Sequence, residues 1–209
     1  INENMLFSDP PDHTRLRSLV SQAFTPRRIA ATEPRIRQTA TSLLAKAAAQ
    51  GQMDLIADYA LPLPVTVISE LLGIPKADEA KVADWSQAII SPGGKRRGYG
   101  ERKRRMRQFV AYLRDLFAER QQRPKDDLTT ALVQAEEAGE KLSSEELSSM
   151  VALLLVTGHE TTVNLIGNGV LALLRHPEQL RLLQERPFLI DKAVEELLRF
   201  DGPVETSTT

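Results

Sequence analysis

The sequence has 209 residues, of which 42% are hydrophobic and 26% are charged, and its formal net charge is −1. These values are ordinary for a globular protein of one or two domains, and they give no overall electrostatic attraction to nucleic acid or to a membrane surface. There is no cysteine, which excludes disulfides, zinc–thiolate sites and any thiolate metal ligand within these residues.

Nearly all of the sequence is predicted to be helical. Helix boundaries are indicated by proline in a first turn, acids near an N-terminus and glycine after a C-terminus. The predicted helices cover, in chain order, about 9–24, 26–50, 65–72, 76–90, 100–122, a short stretch from 126, a long stretch from a capped start at 143–146 to His176-Pro177, then 178–185 and 189–200. An irregular break is expected from Ser91 to about Gly100, and Gly202-Pro203 precedes the only predicted strand, 204–209. The predicted class is therefore mainly α.

The longest apolar stretch, residues 151–174, contains a polar cluster at 157–162, Thr-Gly-His-Glu-Thr-Thr. Burying a polar group without a partner costs about 2–7 kcal/mol. The cluster therefore indicates either chemistry or a bound cofactor, or polar side chains that satisfy one another in the core. The residues alone leave both interpretations open.

Two other interpretations of this stretch are disfavoured. Twenty-four helical residues would span about 36 Å, enough to cross a bilayer, but His159 and Glu160 would then lie at an unfavourable depth. A helix through the core of a soluble protein is predicted instead. His159-Glu160 begins like the zinc motif His-Glu-x-x-His, but the fifth position is Val163, so the second ligand is absent.

Two pairs of ionisable residues have spacings that place them on one helix face. His13 and Arg17 are four residues apart and could together bind a carboxylate, although a surface pair is the commoner arrangement. Glu196 and Arg199 are three apart, and an exposed pair of this kind contributes only about 0.3–0.5 kcal/mol.

The densest charge cluster is the basic run between Lys95 and Arg107. A run of this kind occurs in surfaces that bind nucleic acid or acidic partners, and also in solvated loops and helix faces. Aromatic residues suited to base stacking are sparse here, which favours a solvated surface.

The order and spacing of these motifs resemble the bacterial cytochrome P450 family. The resemblance rests on Asp-Pro-Pro-Asp-His-Thr-Arg-Leu-Arg at 9–17, the polar cluster at 157–162, His-Pro-Glu at 176–178, Ala-Val-Glu-Glu-Leu-Leu-Arg at 193–199 and Gly-Pro-Val at 202–204. It covers the whole chain, and it implies a partial cytochrome P450 fold: a long central helix surrounded by helices, with one terminal strand of a small sheet. Residues 1–209 are then expected to be a single partial domain, an internal fragment without the N-terminal helices and the C-terminal cysteine loop.

The resemblance implies a haem-binding role for four residues. His13 and Arg17 match the pair that binds a haem propionate, which agrees with the preference of carboxylates for charged donors. Thr157 and Gly158 match the point where the central helix passes over the haem, and a glycine there allows close approach to the backbone. Thr157 departs from the family pattern, which more often has a small apolar residue at this position.

The same resemblance implies a catalytic acid–alcohol pair and a structural ion pair. Glu160 and Thr161 match the residues that deliver protons during oxygen activation, and the Thr161 hydroxyl could also bond the carbonyl of Thr157. Glu196 and Arg199 match a buried ion pair on the proximal side of the haem, whose loss would be costly.

The implied activity is that of a cytoplasmic haem-dependent monooxygenase, which inserts one oxygen atom from dioxygen into a small organic substrate. The cofactor would be haem b, and electrons from NAD(P)H would arrive indirectly through a ferredoxin or flavodoxin and its reductase. Neither nucleic acid nor a membrane is expected as a partner. The family's cysteine ligand is absent from this sequence, so no metal ligand is assigned within it, and the fragment alone is expected to be inactive.

Two alternatives belong to other classes of protein. One is a haem-free helical binding scaffold derived from the same family. The other is an all-helical, ligand-responsive DNA-binding regulator, which requires a helix-turn-helix motif that the sequence does not show.

Overall fold

The structure is a computed structural model that describes residues 5–90, 97–137 and 139–204. The helices of the described residues are α1 (Asp12–Ala23), α2 (Pro26–Gln50), α3 (Pro62–Leu71), α4 (Glu79–Ile90), α5 (Arg97–Gln122), α6 (Leu128–Gln134), α7 (Ser144–Arg175), α8 (Pro177–Glu185) and α9 (Ile190–Phe200). Single 3-10 turns occur at Met5–Phe7, Lys76–Asp78 and Pro187–Leu189, and a π-helical turn at Ile56–Ala60. The predicted mainly α class is confirmed.

Most predicted helix boundaries agree with the structure to within a few residues. α1 begins at Asp12, later than predicted, because Asp9 precedes the helix and its carbonyl accepts a hydrogen bond from the amide of His13 at 3.0 Å. α5 begins at Arg97, so the predicted break is shorter at this end than expected. The remainder of that break, residues 91–96, lies outside the described residues.

A short hairpin was not predicted. Strands β1 (Glu136–Glu137) and β2 (Glu140–Lys141) pair antiparallel, and Gly139 between them has a φ of +84°. Strands of two residues are too short to produce a detectable alternating pattern. The strand predicted at 204–209 lies outside the described residues except for Val204, which belongs to no strand.

The chain divides into two compact units, and the first comprises Ile1–Gln38 and Val65–Thr157. Its core is made of apolar side chains from α1 and α3 to α7, and representatives with no exposed surface are Leu72, Phe109, Leu113, Leu128 and Met150. The contributions follow helical spacing, so each helix has one apolar face toward this core.

A buried polar network joins three segments of the first unit. Arg120 on α5 donates from Nε to Asp127 and from Nη2 to the carbonyl of Gly73, at 2.5 and 2.6 Å. Asp127 is also the N-cap of α6, accepting from the amide of Thr130 at 2.8 Å. Thr129 donates to the carbonyl of Leu72 at 2.6 Å. The network therefore holds the end of α3 against α5 and the start of α6.

The second unit comprises Thr39–Pro64 and Gly158–Thr209. Two glycines of α7 allow close packing within it. A Cβ added at Gly167 would lie 2.9 Å from Ile56, and one added at Gly169 would lie 3.0 Å from Leu197 on α9. Both positions therefore require a residue without a side chain unless the neighbour moves.

By length and composition alone, α7 would qualify as a membrane span. Its residues Met150, Val151 and Ala152 have no exposed surface in the first unit. A helix through the core of a soluble protein passes the same test of length and composition, so the test does not by itself show a membrane span.

Candidate functional site

A pocket of about 470 Å³ lies in the first unit, beside the start of α1 and residues of α7. It is lined by Met5, Leu6, Ser8, Asp9, Pro10, His13, Arg17, Leu153, Leu154 and Thr157. Three of the residues implicated by sequence, His13, Arg17 and Thr157, therefore line one pocket. Apolar side chains make up part of the same wall.

His13 and Arg17 are the basic residues of this pocket, whose wall also contains the acid Asp9. Within the described part of the chain, neither side chain forms a hydrogen bond or an ion pair. Arg15, between them on α1, is engaged differently: its guanidinium pairs with Glu146 and lies 3.6 Å from Glu140. The helix therefore uses one arginine to attach to its neighbours and leaves the other available to an anion in the pocket.

Thr157 contributes an exposed side chain to the pocket, but its hydroxyl donates to the carbonyl of Leu153 at 2.8 Å. A threonine bonded back to the residue four positions earlier is a common arrangement inside helices. The donor is thus used by its own helix.

The second unit contains the other residues of the polar cluster. Gly158 is exposed, and Glu160 and Thr161 are partly exposed. The Glu160 carboxylate has no hydrogen bond or ion pair to the described residues, so it is free to bond water. His159 is 4% exposed and has an interaction partner, which places it in the packing of α7.

Glu196 and Arg199 form an ion pair on α9. Arg199 donates to Glu196 from Nε at 2.8 Å and from Nη2 at 2.5 Å. The hydrogen bond from Arg199 lowers the pKa of the Glu196 carboxyl. Among the described residues the side chains are 57% and 71% exposed, and the burial that the resemblance implies for the whole protein stays a prediction. α9 packs on α7 through Leu197.

The residues present can bind the propionate edge of a haem, but they do not provide a set of ligands for its iron. A histidine and an arginine that have no side-chain partner among the described residues, beside apolar side chains, suit a propionate at the border of a flat apolar group. The chain contains no cysteine, and no cluster of three or more potential metal ligands exists in the part that the structure describes.

The basic run is a partly neutralised surface. On α5, Arg104 and Arg105 both contact Glu101, at 2.7 and 3.0 Å, and Arg105 also contacts Asp84 at 2.9 Å. Hydrogen bonds from Arg104 and then Arg105 lower the pKa of Glu101 to about 2. Intrahelical pairing of this kind is typical of a solvated helix face.

Sequence reasoning missed two contacts. No sequence pattern indicated the Arg120–Asp127 pair, although Asp126-Asp127 was identified as the start of a helix. The hydrogen bond from Asn164 to the carbonyl of Pro203, at 3.2 Å, was not anticipated either. Both join residues from different elements, which no helical spacing predicts.

Comparison with known proteins defines the family. The family model described as cytochrome P450 matches residues 95–208. Cytochrome P450 CYP107DY1 of Priestia megaterium is 49% identical over 201 residues, covering 96% of this chain and 49% of that protein. A cytochrome P450 of Bacillus subtilis is 49% identical over 208 residues, covering 100% and 51%.

Solved structures agree. The myxobacterial cytochrome P450 CYP267B1, in complex with myristic acid, matches with a TM-score of 0.91 at 48% identity, covering 99% of this chain and 51% of that one. The described helices therefore form part of the cytochrome P450 fold. The chain belongs to the cytochrome P450 family, as the sequence motifs predicted. It spans about half the length of the curated relatives it matches.

Proposed function

We propose that the whole protein is a cytoplasmic cytochrome P450 monooxygenase, which inserts one oxygen atom from dioxygen into a small organic substrate. Family membership supports the general activity. The observation that carries the assignment to this chain's residues is the His13–Arg17 pair in the pocket of the first unit, whose side chains have no partner within the described ranges.

His13 and Arg17 are proposed to bind a propionate of haem b. A cation and a neighbouring imidazole donor that lack protein partners gain charge-assisted hydrogen bonds when a carboxylate arrives. Thr157 and Gly158 are proposed to border the macrocycle, where the absence of a side chain at Gly158 leaves the backbone accessible. Glu196 and Arg199 are proposed as a structural pair that segments outside these residues would cover.

When bound, the haem would supply oxygen activation. Thr161 is proposed to donate a hydrogen bond from Oγ1 toward the reacting oxygen, and Glu160 to supply protons through water. A carboxyl group that has no protein partner can exchange its proton with solvent, and this is what a proton relay requires. Gly158, next to these side chains, would leave room for water and substrate.

The iron ligand and the electron supply are proposed to lie elsewhere. The family's thiolate ligand would come from outside these 209 residues, which contain no cysteine. Electrons would pass from NAD(P)H through a ferredoxin or flavodoxin and its reductase. Residues 1–209 would then be one part of a single larger domain, without activity of their own.

The substrate class remains broad in this proposal. The relatives carry names as different as Vitamin D(3) 25-hydroxylase of Pseudonocardia autotrophica and monooxygenase PikC of Streptomyces venezuelae. They are 49% and 46% identical to this chain, so similarity at this level does not select one substrate. The proposal therefore extends to a small organic molecule and to no particular compound.

The test is the absorption spectrum of the full-length protein, reduced and saturated with carbon monoxide. A strongly red-shifted Soret band is expected for a thiolate-ligated haem. A protein that is folded by circular dichroism and gives no such band would refute the proposal. It would favour the alternative of a haem-free helical binding scaffold.

A further inference from the structure

Arg15 lies on α1 between the two basic residues of the pocket in sequence, but it occupies another side of the helix. Two positions along an α-helix correspond to a rotation of about 200°, so Arg15 does not share a face with His13 or Arg17. Leu16 is 3% exposed and faces the core between them. Arg15 and the His13–Arg17 pair therefore flank the buried stripe of α1 on opposite sides.

Arg15 pairs with the first turn of α7. Its Nη2 donates to Oε1 of Glu146, and its Nε lies 3.6 Å from Oε2 of Glu140 on β2. The side chains of Arg15 and Glu146 are 27% and 16% exposed. Charge pairs that are partly buried are screened by salt much less than exposed ones. This pair can therefore fix the position of α1 relative to α7.

Glu146 is itself held in place at the N-terminus of α7. Its Oε2 accepts from the amide of Ser143 at 2.8 Å, and the Ser143 hydroxyl accepts from the amide of Glu146 at 3.2 Å. This is the reciprocal arrangement of a capping box. Burial opposes ionisation of Glu146, but hydrogen bonds from Ser143 and Arg15 outweigh it and lower the pKa of the carboxyl. Glu146 is therefore a charged and preoriented partner for Arg15.

The same two helices also form walls of the pocket. His13 and Arg17 line it from α1, and Leu153 and Thr157 line it from α7. Leu153 follows Glu146 by seven residues in the continuous helix α7, so the two share a face and lie about 10 Å apart along the axis. A rotation or shift of α1 relative to this face would change how far its two basic side chains lie from the α7 wall.

We propose that Arg15 and Glu146 are positioning residues, which hold α1 on the first turn of α7 and thereby set the orientation of His13 and Arg17 in the pocket. Neither Arg15 nor Glu146 lines the pocket, so the ion pair acts on a bound carboxylate only through the two basic residues. This inference rests on the proposed binding of a haem propionate, although the anchoring of α1 does not.

The variants are Arg15→Gln and Glu146→Gln in the full-length protein. Glutamine at position 146 keeps an oxygen that can accept from the Ser143 amide but loses the charge that pairs with Arg15. It therefore separates the ion pair from the helix cap. Arg15→Lys retains the positive charge and is the conservative variant. Arg37→Gln is the matched control, because Arg37 pairs with Glu33 on α2 and both side chains are mostly exposed, at 77% and 66%.

The first readout is amide hydrogen exchange in the peptide that contains α1, which requires neither haem nor activity. Arg15→Gln and Glu146→Gln are each expected to accelerate exchange there by about three- to tenfold, corresponding to the loss of one interaction that restrains the helix. Arg15→Lys should retain part of the protection, and Arg37→Gln should leave exchange in this peptide unchanged. Equal exchange in the Arg15→Gln and Arg37→Gln proteins would overturn the anchoring of α1.

The second readout is the rate of haem transfer from the haem-loaded protein to an excess of apomyoglobin. Arg15→Gln is expected to accelerate transfer by about three- to tenfold, with an unchanged carbon monoxide spectrum. In a protein that already carries Arg17→Gln, the further effect of Arg15→Gln should fall to about twofold or less, because residues that act through one another are not additive.

Two results of the transfer experiment would overturn the positioning role. One is an unchanged rate in Arg15→Gln. The other is the same factor with and without Arg17→Gln, which is the result expected for a contact that is merely structural. A wild-type protein without the thiolate–haem spectrum would refute the proposed function, while the exchange result would still decide whether Arg15 and Glu146 anchor α1.

Discussion

Arg120 and Asp127 form an ion pair that is almost completely shielded from solvent. Their side chains are 1% and 6% exposed, and Nε of Arg120 lies 2.5 Å from Oδ2 of Asp127. The Nη1 atom of Arg120 lies 2.9 Å from Glu119 but has no hydrogen-bond geometry. A pair in this environment repays its desolvation only through good geometry and further hydrogen bonds, here to Gly73 and Thr130.

Removal of the arginine is expected to be costly. Arg120→Gln leaves Asp127 buried without its charge partner, which lowers the free energy of unfolding by about 3–5 kcal/mol. The matched control is Arg114→Gln on the same helix, where the side chain is 58% exposed and lies 3.6 Å from Glu145; its cost should be below about 1 kcal/mol. Thermal or urea unfolding of the full-length protein measures the change in both variants. Equal losses of stability would contradict the conclusion that the buried Arg120–Asp127 pair matters more for folding than the exposed pair.

The same network leaves no room for an alanine side chain at position 73. Its φ is +70°, and an added Cβ would lie 2.0 Å from Oδ2 of Asp127. Gly51 has a φ of +72° with nothing within 4 Å, so Gly51→Ala isolates the backbone cost, about 1–2 kcal/mol. Gly73→Ala should lower the free energy of unfolding by a clearly larger amount. Similar losses for the two variants would show that the neighbour moves away without cost.

The propionate assignment predicts weaker haem binding in Arg17→Gln. A charge-assisted hydrogen bond contributes about 1.5–3 kcal/mol, so haem affinity should fall by about 10- to 100-fold. Arg27→Gln is the control, because Arg27 is exposed and also has no partner among the described residues. The rate of haem transfer from the full-length protein to an excess of apomyoglobin measures the difference. An unchanged rate in Arg17→Gln would contradict the assignment.

Thr161→Ala should separate oxygen consumption from product formation. Without the Thr161 hydroxyl, the reacting oxygen loses its proposed hydrogen-bond donor. The rate of product formation should then fall on the order of 10²-fold, the lower end of general acid–base effects. Reduced oxygen would be released as peroxide. Thr162→Ala is the control, because Thr162 is the adjacent, more exposed threonine of α7. Product and peroxide per oxygen consumed are the quantities to measure, and identical ratios for the two variants would exclude the role.

Tyr112 is expected to make stability fall at alkaline pH. Burial, with the nearby charge of Asp78, raises the pKa of the Tyr112 phenol to about 12, above the ordinary value of about 10. Between about pH 10 and 12 the unfolded chain loses this proton and the folded chain keeps it, so rising pH favours unfolding. In Tyr112→Phe this loss should be smaller. The difference in tyrosinate absorbance between the two proteins should titrate near pH 12, and a midpoint near 10 would contradict the burial argument.

Helix positions were largely predictable from the sequence because their causes are local. Thr25-Pro26 and Gly51 bound α2, and the end of α7 follows from His176-Pro177, where the fixed proline ring disfavours further helix at the preceding residue. The hairpin around Gly139 was missed because two-residue strands depend on their pairing and not on a pattern. The P450 family was likewise identifiable, since it depends on the order of several short motifs.

The sequence alone determined the helical class, the family, the continuity of α7 through its polar cluster and the absence of a thiolate ligand from these residues. The tertiary structure decided which polar groups have partners. Arg15 is paired with Glu146, whereas Arg17 has no ion pair in the part of the chain that the structure describes, and Arg120 is buried while Arg199 is exposed. All four are arginines on helices with acids nearby in sequence or space. Local spacing specifies which face a side chain occupies, whereas burial and pairing depend on the element that packs there, and this emerges only when distant segments of the chain meet.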